Sequence, residues 1–408
     1  MKITTLTSVE TRTILIVGDK PENLFSLKNM LNGEDYNIIT TTSFEEAQKI
    51  IMEEDISLVL LDIKMSDADG CKVAEILCNN YSTVDIPVIF LNTKCNKEKN
   101  MLKSLKNGAV DCLTKPVTAE ILRIKVDNYA LRQQRFVRSK LALLALKKTN
   151  EALTEYNKAV ESSIKYAKTI QQSVLPNEEI IRQVFPESFI YYKPKDIVSG
   201  DFYWFTIKNS RAIVAAVDCT GHGVPGALLS MIGNNLLNQI VNEKNLTKPS
   251  DILSQLNNGI IKTFNQNADN GNIRDGMDIA LLAFDLNFRT VEFAGAFRPL
   301  YHFRGNELNV IKGNACGIDN LTPMNHDFTN HIIDLKQGDT LYIFSDGYQD
   351  QFGGPRNKKF MINRFRKLLK FVQTKGMEDQ KKILDRSLKQ WMNGHWQVDD
   401  IMVMGFKV

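Results

Sequence analysis

An unbroken run of strong helix formers in the middle of the chain constrains its architecture more than any other feature. Between Pro116 and Pro176 the sequence has neither glycine nor proline, the two residues that most often end a helix. Thr149 and Ser163 interrupt an apolar stripe with coiled-coil spacing, formed by Leu146, Leu153, Tyr156, Val160, Ala167, Ile170 and Val174. Such a helix is too long to bury its stripe against one small domain. We therefore expect a helical linker, residues 131–175, that either pairs with a second chain or docks along two flanking domains.

Composition allows this plan and excludes several classes of protein. The 408 residues are 43% hydrophobic and 24% charged, which is typical of globular domains. We expect a tail at 1–12 and domains at 13–130 and 176–408. A net charge of +4 with scattered cations argues against nucleic acid as the main partner. No stretch reaches the roughly 18 apolar residues of a membrane span, and the first residues lack the apolar segment of a signal peptide. We expect a cytoplasmic protein without a membrane partner.

The cysteines do not suggest a metal or disulfide framework. The chain has six of them without a CxxC pair, and no histidine stands at zinc-ligand spacing. This pattern is typical of reduced thiols in a cytosolic protein.

Residues 13–130 alternate short apolar runs with helical patterns, which predicts a doubly wound α/β sheet. Helices are expected near Glu22, Phe44, Cys71 and Lys97 and after Thr118. The expected strands are Ile14–Val17, Ile38–Thr40, Leu58–Leu61, Val88–Leu91 and Asp111–Leu113.

Polar residues follow three of these strands at the same edge of the sheet. Asp62 ends the third strand, Asp19 follows the first and Lys115 the fifth. In a parallel sheet these ends lie together. Asp62 is therefore a candidate phosphoryl acceptor, with Asp19 helping to hold Mg²⁺ and Lys115 pairing with the phosphoryl charge. An ordinary doubly wound domain with polar loop ends is the alternative.

Residues 176–408 predict an α+β domain with many strands. The expected helices are 224–242, 250–266 and 378–392. The expected strands are Ala212–Val217, Ile279–Phe284, Val291–Ala294, Thr340–Phe344 and Ile401–Phe406.

Four aspartates stand beside the ends of strands in this domain, each next to an apolar run. They are Asp201, Asp218, Asp346 and Asp399. Converging carboxylates repel one another unless a hard cation joins them. Two Mg²⁺ or Mn²⁺ ions would lower the pKa of a water and stabilise charge during in-line attack on phosphorus. Each motif alone also fits a turn or a strand cap, and only the set of four favours a metal site.

Neighbouring residues suggest further roles near Asp218. Asp278 and Asp400 also adjoin strands and are candidates for a further metal ligand or a supporting position. His222 lies between Gly221 and Gly223, where it either protonates a leaving oxygen or fixes the loop. These glycines allow N–H groups to approach phosphate at a helix start. A cysteine phosphatase built on Cys219 is disfavoured, because no arginine follows in that loop.

The segments SGDFYWF, DCTGHGVPGALLSMIG, FSDGYQDQFG and DDIMVMGF, in this order over about 200 residues, resemble the PPM-type phosphatases of the SpoIIE-like branch. The resemblance implies a β-sandwich flanked by helices and a centre with two Mg²⁺ or Mn²⁺ ions. It makes Asp218 the carboxylate that bridges both metals, beside the backbone carbonyl of Cys219. Asp201 would serve one metal, and Asp346 and Asp399 the other.

The segments ILIVGD, LVLLDIKMSDADG, PVIFLN and LTKP resemble a response-regulator receiver domain. Two positions depart from that pattern. Gly18 replaces the first residue of an acidic pair, which weakens the Mg²⁺ site, and Asn92 replaces a Ser or Thr that bonds the phosphoryl group. Two alternatives therefore remain, a receiver phosphorylated at Asp62 by an upstream histidine kinase with one Mg²⁺, and a receiver that signals by docking alone.

Together these features predict a receiver-regulated phosphatase that acts on phosphoserine or phosphothreonine and dimerises through its linker helix. Resemblance to the SpoIIE-like branch implies an anti-sigma-factor antagonist as the phosphorylated protein substrate. The main alternative is a catalytically silent module that sequesters its partner. A degenerate nucleotide cyclase, suggested by SGDFYW alone, leaves the other three motifs unexplained.

Overall fold

The computed structural model describes residues 11–32, 36–63, 76–77, 79, 83–92, 106, 109–265, 275–287 and 289–408. The chain divides into two compact units, Met1–Glu155 and Tyr156–Val408. The division falls inside a single helix, Ala119–Val174. The domain boundaries expected from the sequence remain predictions.

The first unit contains a parallel five-stranded sheet with the order β2-β1-β3-β4-β5, an order found in doubly wound domains. Its strands are β1 (Arg12–Val17), β2 (Tyr36–Thr41), β3 (Ile56–Asp62), β4 (Val88–Asn92) and β5 (Asp111–Thr114). The helices Pro21–Leu31 and Phe44–Glu53 precede the long one. The doubly wound fold predicted from the sequence is confirmed. The helices predicted near Cys71 and Lys97 lie outside the described residues.

Strand β3 shows why this sheet is covered on both sides. Leu58 and Leu60 pack into one core, while Val59 and Leu61 pack into a second core on the opposite face. A continuous apolar run is expected for a parallel strand between two layers of helices. Strand β3 ends at Asp62, which therefore lies at the carboxyl edge of the sheet.

The helix Ala119–Val174 has 56 residues, as the absence of glycine and proline predicts. It ends two residues before Pro176, since the residue before a proline disfavours helical backbone. The predicted seam is exposed in the single chain, with Leu146 58% and Leu153 53% accessible. The hydroxyls of Thr149 and Ser163 donate to carbonyls one turn earlier in the helix.

The second unit is a sandwich of two antiparallel sheets, with the orders β13-β10-β9-β8-β7 and β12-β11-β14-β17-β6. The strands of the first sheet are β7 (Phe202–Lys208), β8 (Arg211–Cys219), β9 (Met277–Asp285), β10 (Thr290–Ala296) and β13 (His331–Asp334). Those of the second are β6 (Ser188–Lys193), β11 (Leu300–Arg304), β12 (Glu307–Ile311), β14 (Thr340–Phe344) and β17 (Ile401–Lys407). A small hairpin, β15 (Phe352–Gly353) and β16 (Lys358–Lys359), stands apart. The predicted β-sandwich is confirmed.

Helices cover the outer faces of both sheets. One group packs on the first sheet and comprises Gly223–Leu237, the π-helix Asn238–Glu243 and Pro249–Asn265. The helices Ile362–Val372 and Met377–Met392 pack on the second sheet. The short helices Glu178–Val184 and Gly347–Asp350 complete the unit. None of the helices in the described parts of the chain is long and apolar enough to cross a membrane.

One expectation about the cysteines is wrong. Cys219 and Cys316 are free thiols, but Cys112 is disulfide-bonded. Its partner lies outside the described residues.

Candidate functional site

The alternation of β8 directs Asp218 into the space between the two sheets. Ala212, Val214 and Ala216 face the second sheet, whereas the intervening residues face the helices. Because side chains alternate along a strand, Asp218 points to the same side as Ala216. It lies at the end of the strand, where its side chain is partly exposed.

Asp278 lies directly opposite Asp218 on the neighbouring strand β9. Two like charges in this relationship destabilise a sheet. A third carboxylate comes from the second sheet, where Asp346 follows β14 and precedes the helix Gly347–Asp350. The backbone N–H of Asp346 is 3.4 Å from Oδ2 of Asp218. These contacts bring together Asp218, Asp346 and Asp278, and Asp201 lies close enough to Asp218 for the two carboxylates to interact.

Arg298 lies between these three carboxylates and was not foreseen from the sequence. Its Nη2 atom is 2.8 Å from Oδ2 of Asp218, 2.8 Å from Oδ2 of Asp346 and 2.9 Å from Oδ2 of Asp278. An arginine within the otherwise apolar segment that joins β10 to β11 was the available signal. Although burial lowers the pKa of Arg298, the three carboxylates together raise it above its ordinary value, so the guanidinium is charged.

The other predicted metal ligands border the same end of the sandwich. Asp201 precedes β7 and is 2% exposed, and its buried Oδ2 has no hydrogen-bond partner among the described residues. Asp399 precedes β17. Asp400 is also buried, but its two oxygens accept hydrogen bonds of 2.7 Å from the backbone N–H groups of Lys195 and Gly200. This carboxylate therefore fixes the loop before Asp201.

The pKa values of four aspartates in this cluster are raised because their carboxylates are buried from water and lie close to one another. Burial and the nearby Asp218 carboxylate raise the pKa of Asp201. Burial raises the pKa of Asp218 to about 7, against the lowering effect of Arg298 and with a further rise from Asp346. The same causes raise the pKa of Asp278 to about 6. Burial also raises the pKa of Asp399.

These carboxylates have the donor chemistry that a divalent hard cation requires. Oxygen ligands suit Mg²⁺ and Mn²⁺, and a cation would relieve both the unpartnered Oδ2 of Asp201 and the mutual repulsion. Among the described residues, however, no three Asp, Glu, His or Cys side chains are arranged to hold an ion as they stand. The amino group of Arg298 lies among three of the oxygens instead.

The loop after Asp218 is shaped by its glycines. Gly221 and Gly223 have φ values of 81° and 64°, which side chains rarely adopt. His222 lies between them, exposed, with Nδ1 2.7 Å from Oδ2 of Asp196. Burial and Asp218 raise the pKa of the Cys219 thiol, so a thiolate nucleophile is disfavoured there.

Three backbone segments meet around this loop with almost no space between them. A Cβ atom on Gly226 would lie 2.3 Å from the carbonyl oxygen of Gly221, and one on Gly200 would lie 2.5 Å from the same atom. Either contact is far below van der Waals distance. The loop that carries Asp201 and the loop that follows Asp218 are thus packed directly onto the start of the helix Gly223–Leu237.

In the first unit, the structure places most of the predicted acceptor residues at one edge. Lys115 forms an ion pair with Asp62, and its backbone N–H donates to the carbonyl of Asn92. A Cβ on Gly18 would lie 3.3 Å from Cβ of Asp62. Asp19 follows and is half-buried. The roles assigned to these residues remain predictions.

Comparison with known families finds one match in each of the two units of the chain. The model of the response regulator receiver domain matches residues 14–127, and that of stage II sporulation protein E (SpoIIE) matches residues 208–408. The protein PilH of Pseudomonas aeruginosa is 32% identical over 109 residues, which cover 27% of this chain and 89% of PilH. A probable cyclic di-GMP phosphodiesterase of Vibrio cholerae is 38% identical over 117 residues, 29% of this chain and 26% of that protein.

The chain spans less than half the length of the first curated relatives that it matches. Among solved structures, the SiaA-PP2C domain of Pseudomonas aeruginosa is similar to 62% of this chain. The similarity covers 98% of that domain with a TM-score of 0.56 and 29% identity. The chain thus carries a response regulator receiver domain followed by a SpoIIE-type PPM phosphatase domain.

Proposed function

We propose that the protein is a metal-dependent phosphatase that hydrolyses phosphoserine or phosphothreonine on a partner protein under control of its receiver domain. The observation that carries this proposal is the meeting of Asp218 and Asp346, from opposite sheets of a PP2C-like sandwich, at one end of the sandwich. Asp201 and Asp399 adjoin the same ends of their strands. Asp201, Asp218, Asp346 and Asp399, with the carbonyl of Cys219, are the residues that would hold Mg²⁺ or Mn²⁺.

Two divalent ions, when bound, supply a lowered pKa for water and charge compensation at the phosphoryl oxygens. The chain's own groups have the remaining tasks. The buried ends of β8 and β14 hold Asp218 and Asp346 on rigid elements, which limits loss of alignment. Gly223 is the first residue of a helix, and the backbone N–H groups at a helix start favour phosphate oxygens.

His222 is the proposed proton donor to the leaving oxygen. It is exposed, and its Nδ1 contacts Asp196, so Nε2 faces away from that partner. A carboxylate on one ring nitrogen fixes the orientation of the ring and the tautomer in which the other nitrogen acts. Asp196 was not considered from the sequence and would serve as this orienting group.

The partner is proposed from family resemblance and not from contacts in this structure. Resemblance to the SpoIIE-like branch favours a phosphorylated anti-sigma-factor antagonist. An upstream histidine kinase would act on Asp62, and a homodimer would form through the exposed linker stripe.

Hydrolysis by the full chain with Mn²⁺ tests the proposed activity. The substrates are para-nitrophenyl phosphate and a phosphoserine protein. Asp218→Asn and Asp346→Asn should each reduce the rate at least about a hundredfold, as expected for loss of a group that stabilises the transition state. Asp285→Asn, at the far end of β9, is the matched control and should retain activity. Unchanged rates in both site variants would contradict the metal assignment.

A catalytically silent binding module is the second candidate, and the position of Arg298 favours it. A side-chain cation already pairs with three carboxylates and offsets part of their charge, as in a site that needs no metal. Calorimetric titration with Mn²⁺ separates the two candidates, because a silent module has no requirement for ion binding.

A further inference from the structure

We propose that Arg298 is a built-in competitor of the divalent cation, so that metal binding requires this side chain to leave the Asp218, Asp278 and Asp346 carboxylates. The inference rests on the proposed metal-dependent function and adds a control to it. Arginine and metal would alternate at the same oxygen atoms.

The competition follows from which atoms are engaged. Nη2 of Arg298 contacts one oxygen of each carboxylate, Oδ2 in all three cases, at 2.8–2.9 Å. A metal ion needs carboxylate oxygens at about 2.0–2.6 Å around a single point. An amino group among those oxygens occupies the space into which they would converge. The guanidinium of Arg298 and a divalent metal ion therefore cannot occupy the space between these oxygens at the same time.

The backbone around Arg298 holds the side chain in this position. Phe297 has a φ of 55°, a costly conformation for an aromatic residue. The N–H of Phe297 donates to the carbonyl of Asn314 at 2.9 Å, and that of Arg298 donates to the carbonyl of Ala296 at 2.6 Å. The strained turn at Phe297 and Arg298 is thus held by two backbone hydrogen bonds, and it places the guanidinium beside the three carboxylates.

The guanidinium is also incompletely satisfied where it lies. Its Nε is buried and has no hydrogen-bond partner among the described residues, although buried donors are nearly always paired. The attraction of three carboxylates holds the side chain in spite of this unmatched donor. A stronger cation at the carboxylates would remove that attraction and allow the side chain to move.

Calorimetric titration of the full chain with MnCl₂ tests the exchange directly. If Arg298 blocks the carboxylates in about nine molecules of ten, Arg298→Gln should lower the Kd for Mn²⁺ about tenfold. Arg304→Gln is the matched control, since Arg304 pairs with the buried Asp339 elsewhere in the domain. Its Kd should equal that of the unsubstituted chain. An unchanged or weaker affinity in Arg298→Gln would overturn the proposal.

A second variant covers the case in which Arg298→Gln fails to fold. Arg298→Lys keeps the charge but replaces the planar fork by a compact ammonium, so its Kd should lie between those of the other two proteins. Weaker Mn²⁺ binding by Arg298→Lys than by the unsubstituted chain would contradict the exchange.

The same titrations separate this inference from the proposed activity. Tighter Mn²⁺ binding by the variants without hydrolysis of any phosphoprotein would support the exchange and contradict the phosphatase function. Hydrolysis by the unsubstituted chain with equal Kd values would do the reverse. Absence of Mn²⁺ binding in every variant would overturn the exchange.

Discussion

Gln171, near the end of the long helix, exchanges two hydrogen bonds with the backbone of Ser199. Its Nε2 donates to the carbonyl at 2.6 Å, and its Oε1 accepts from the N–H at 3.2 Å. Nε2 also contacts the hydroxyl of Ser230. One buried side chain therefore joins the linker helix, the loop before Asp201 and the helix Gly223–Leu237. A change in the position of the linker would reach Asp201, a proposed metal ligand two residues beyond this contact.

Gln171→Ala should lower both stability and phosphatase activity. The substitution leaves the buried N–H and carbonyl of Ser199 unpaired, which costs about 1–3 kcal/mol for an unsatisfied group. Urea unfolding and the rate with para-nitrophenyl phosphate measure the two effects. Gln172→Ala is the control, because Gln172 is exposed on the same helix turn. Equal loss in the two variants would show that the buried contact has no special role.

Restoring an acidic residue at position 18 should increase phosphorylation of Asp62. Gly18 stands where the receiver pattern has the first carboxylate of an acidic pair, so a carboxylate here should strengthen the proposed Mg²⁺ site. A Cβ at this position lies beside Asp62 and about 3.4 Å from Leu24, which an aspartate can accommodate with a small shift.

Mass spectrometry after incubation with acetyl phosphate and Mg²⁺ measures this effect. Gly18→Asp should acquire phosphate about tenfold faster, a change of about 1.4 kcal/mol in the barrier, and Gly18→Asp with Asp62→Asn should acquire none. Equal rates with and without the acidic residue would favour a receiver that signals by docking alone.

A charge on the exposed linker stripe should prevent dimer formation. Leu153 occupies a predicted seam position and is 53% exposed in the single chain, and a glutamate there would place two like charges at the interface. Light scattering should give a dimer mass for the unsubstituted chain and a monomer mass for Leu153→Glu. Thr154→Glu adds the same charge outside the seam and should remain dimeric. A monomer mass for the unsubstituted chain would contradict the predicted coiled coil.

Asp339 should make the phosphatase domain sensitive to acid. Although burial opposes the shift, hydrogen bonds from Arg304, the N–H of Lys336 and His302 lower the pKa of Asp339 to about 2. A carboxyl with a depressed folded pKa stabilises the fold above its unfolded value, near 4, and loses this contribution as pH falls toward 2.

The difference in unfolding free energy between Asp339→Asn and the unsubstituted chain should therefore be largest at pH 7 and shrink below pH 4. Urea unfolding at several pH values measures it. A difference independent of pH would mean that the lost packing, and not the charge, accounts for the effect of the substitution.

The strands that sequence patterns predicted best are the buried central ones. Thr340–Phe344 was predicted with its observed ends, and Ala212–Val217 fell within β8. The strands β11 and β12 were missed because the charged residues Arg304 and Glu307 stand at the strand ends that flank the hairpin turn. The helix Ile362–Val372 was missed because four of its eleven residues are basic. The local apolar pattern is weak where charged residues interrupt an element or stand at its ends.

The candidate site was predictable only in its acidic part. Aspartates beside apolar runs are visible along the chain, but the position of Arg298 depends on how β10 and β11 cross between sheets. The role of Gln171 likewise depends on a contact 28 positions away. Such groups are identified by long-range register, which the spacing of residues in one sequence does not contain.

The contact between Gly226 and the carbonyl of Gly221 has a consequence for genetic variation in this protein. A complete mutational scan would record Gly200 and Gly226 as intolerant to every substitution, although neither has a side chain that could touch a substrate. Sensitivity to mutation would then be as high at positions of close backbone packing as at residues that take part in catalysis or binding. In this domain, the residues under the strongest purifying selection would include Gly200 and Gly226, which take no part in the chemistry.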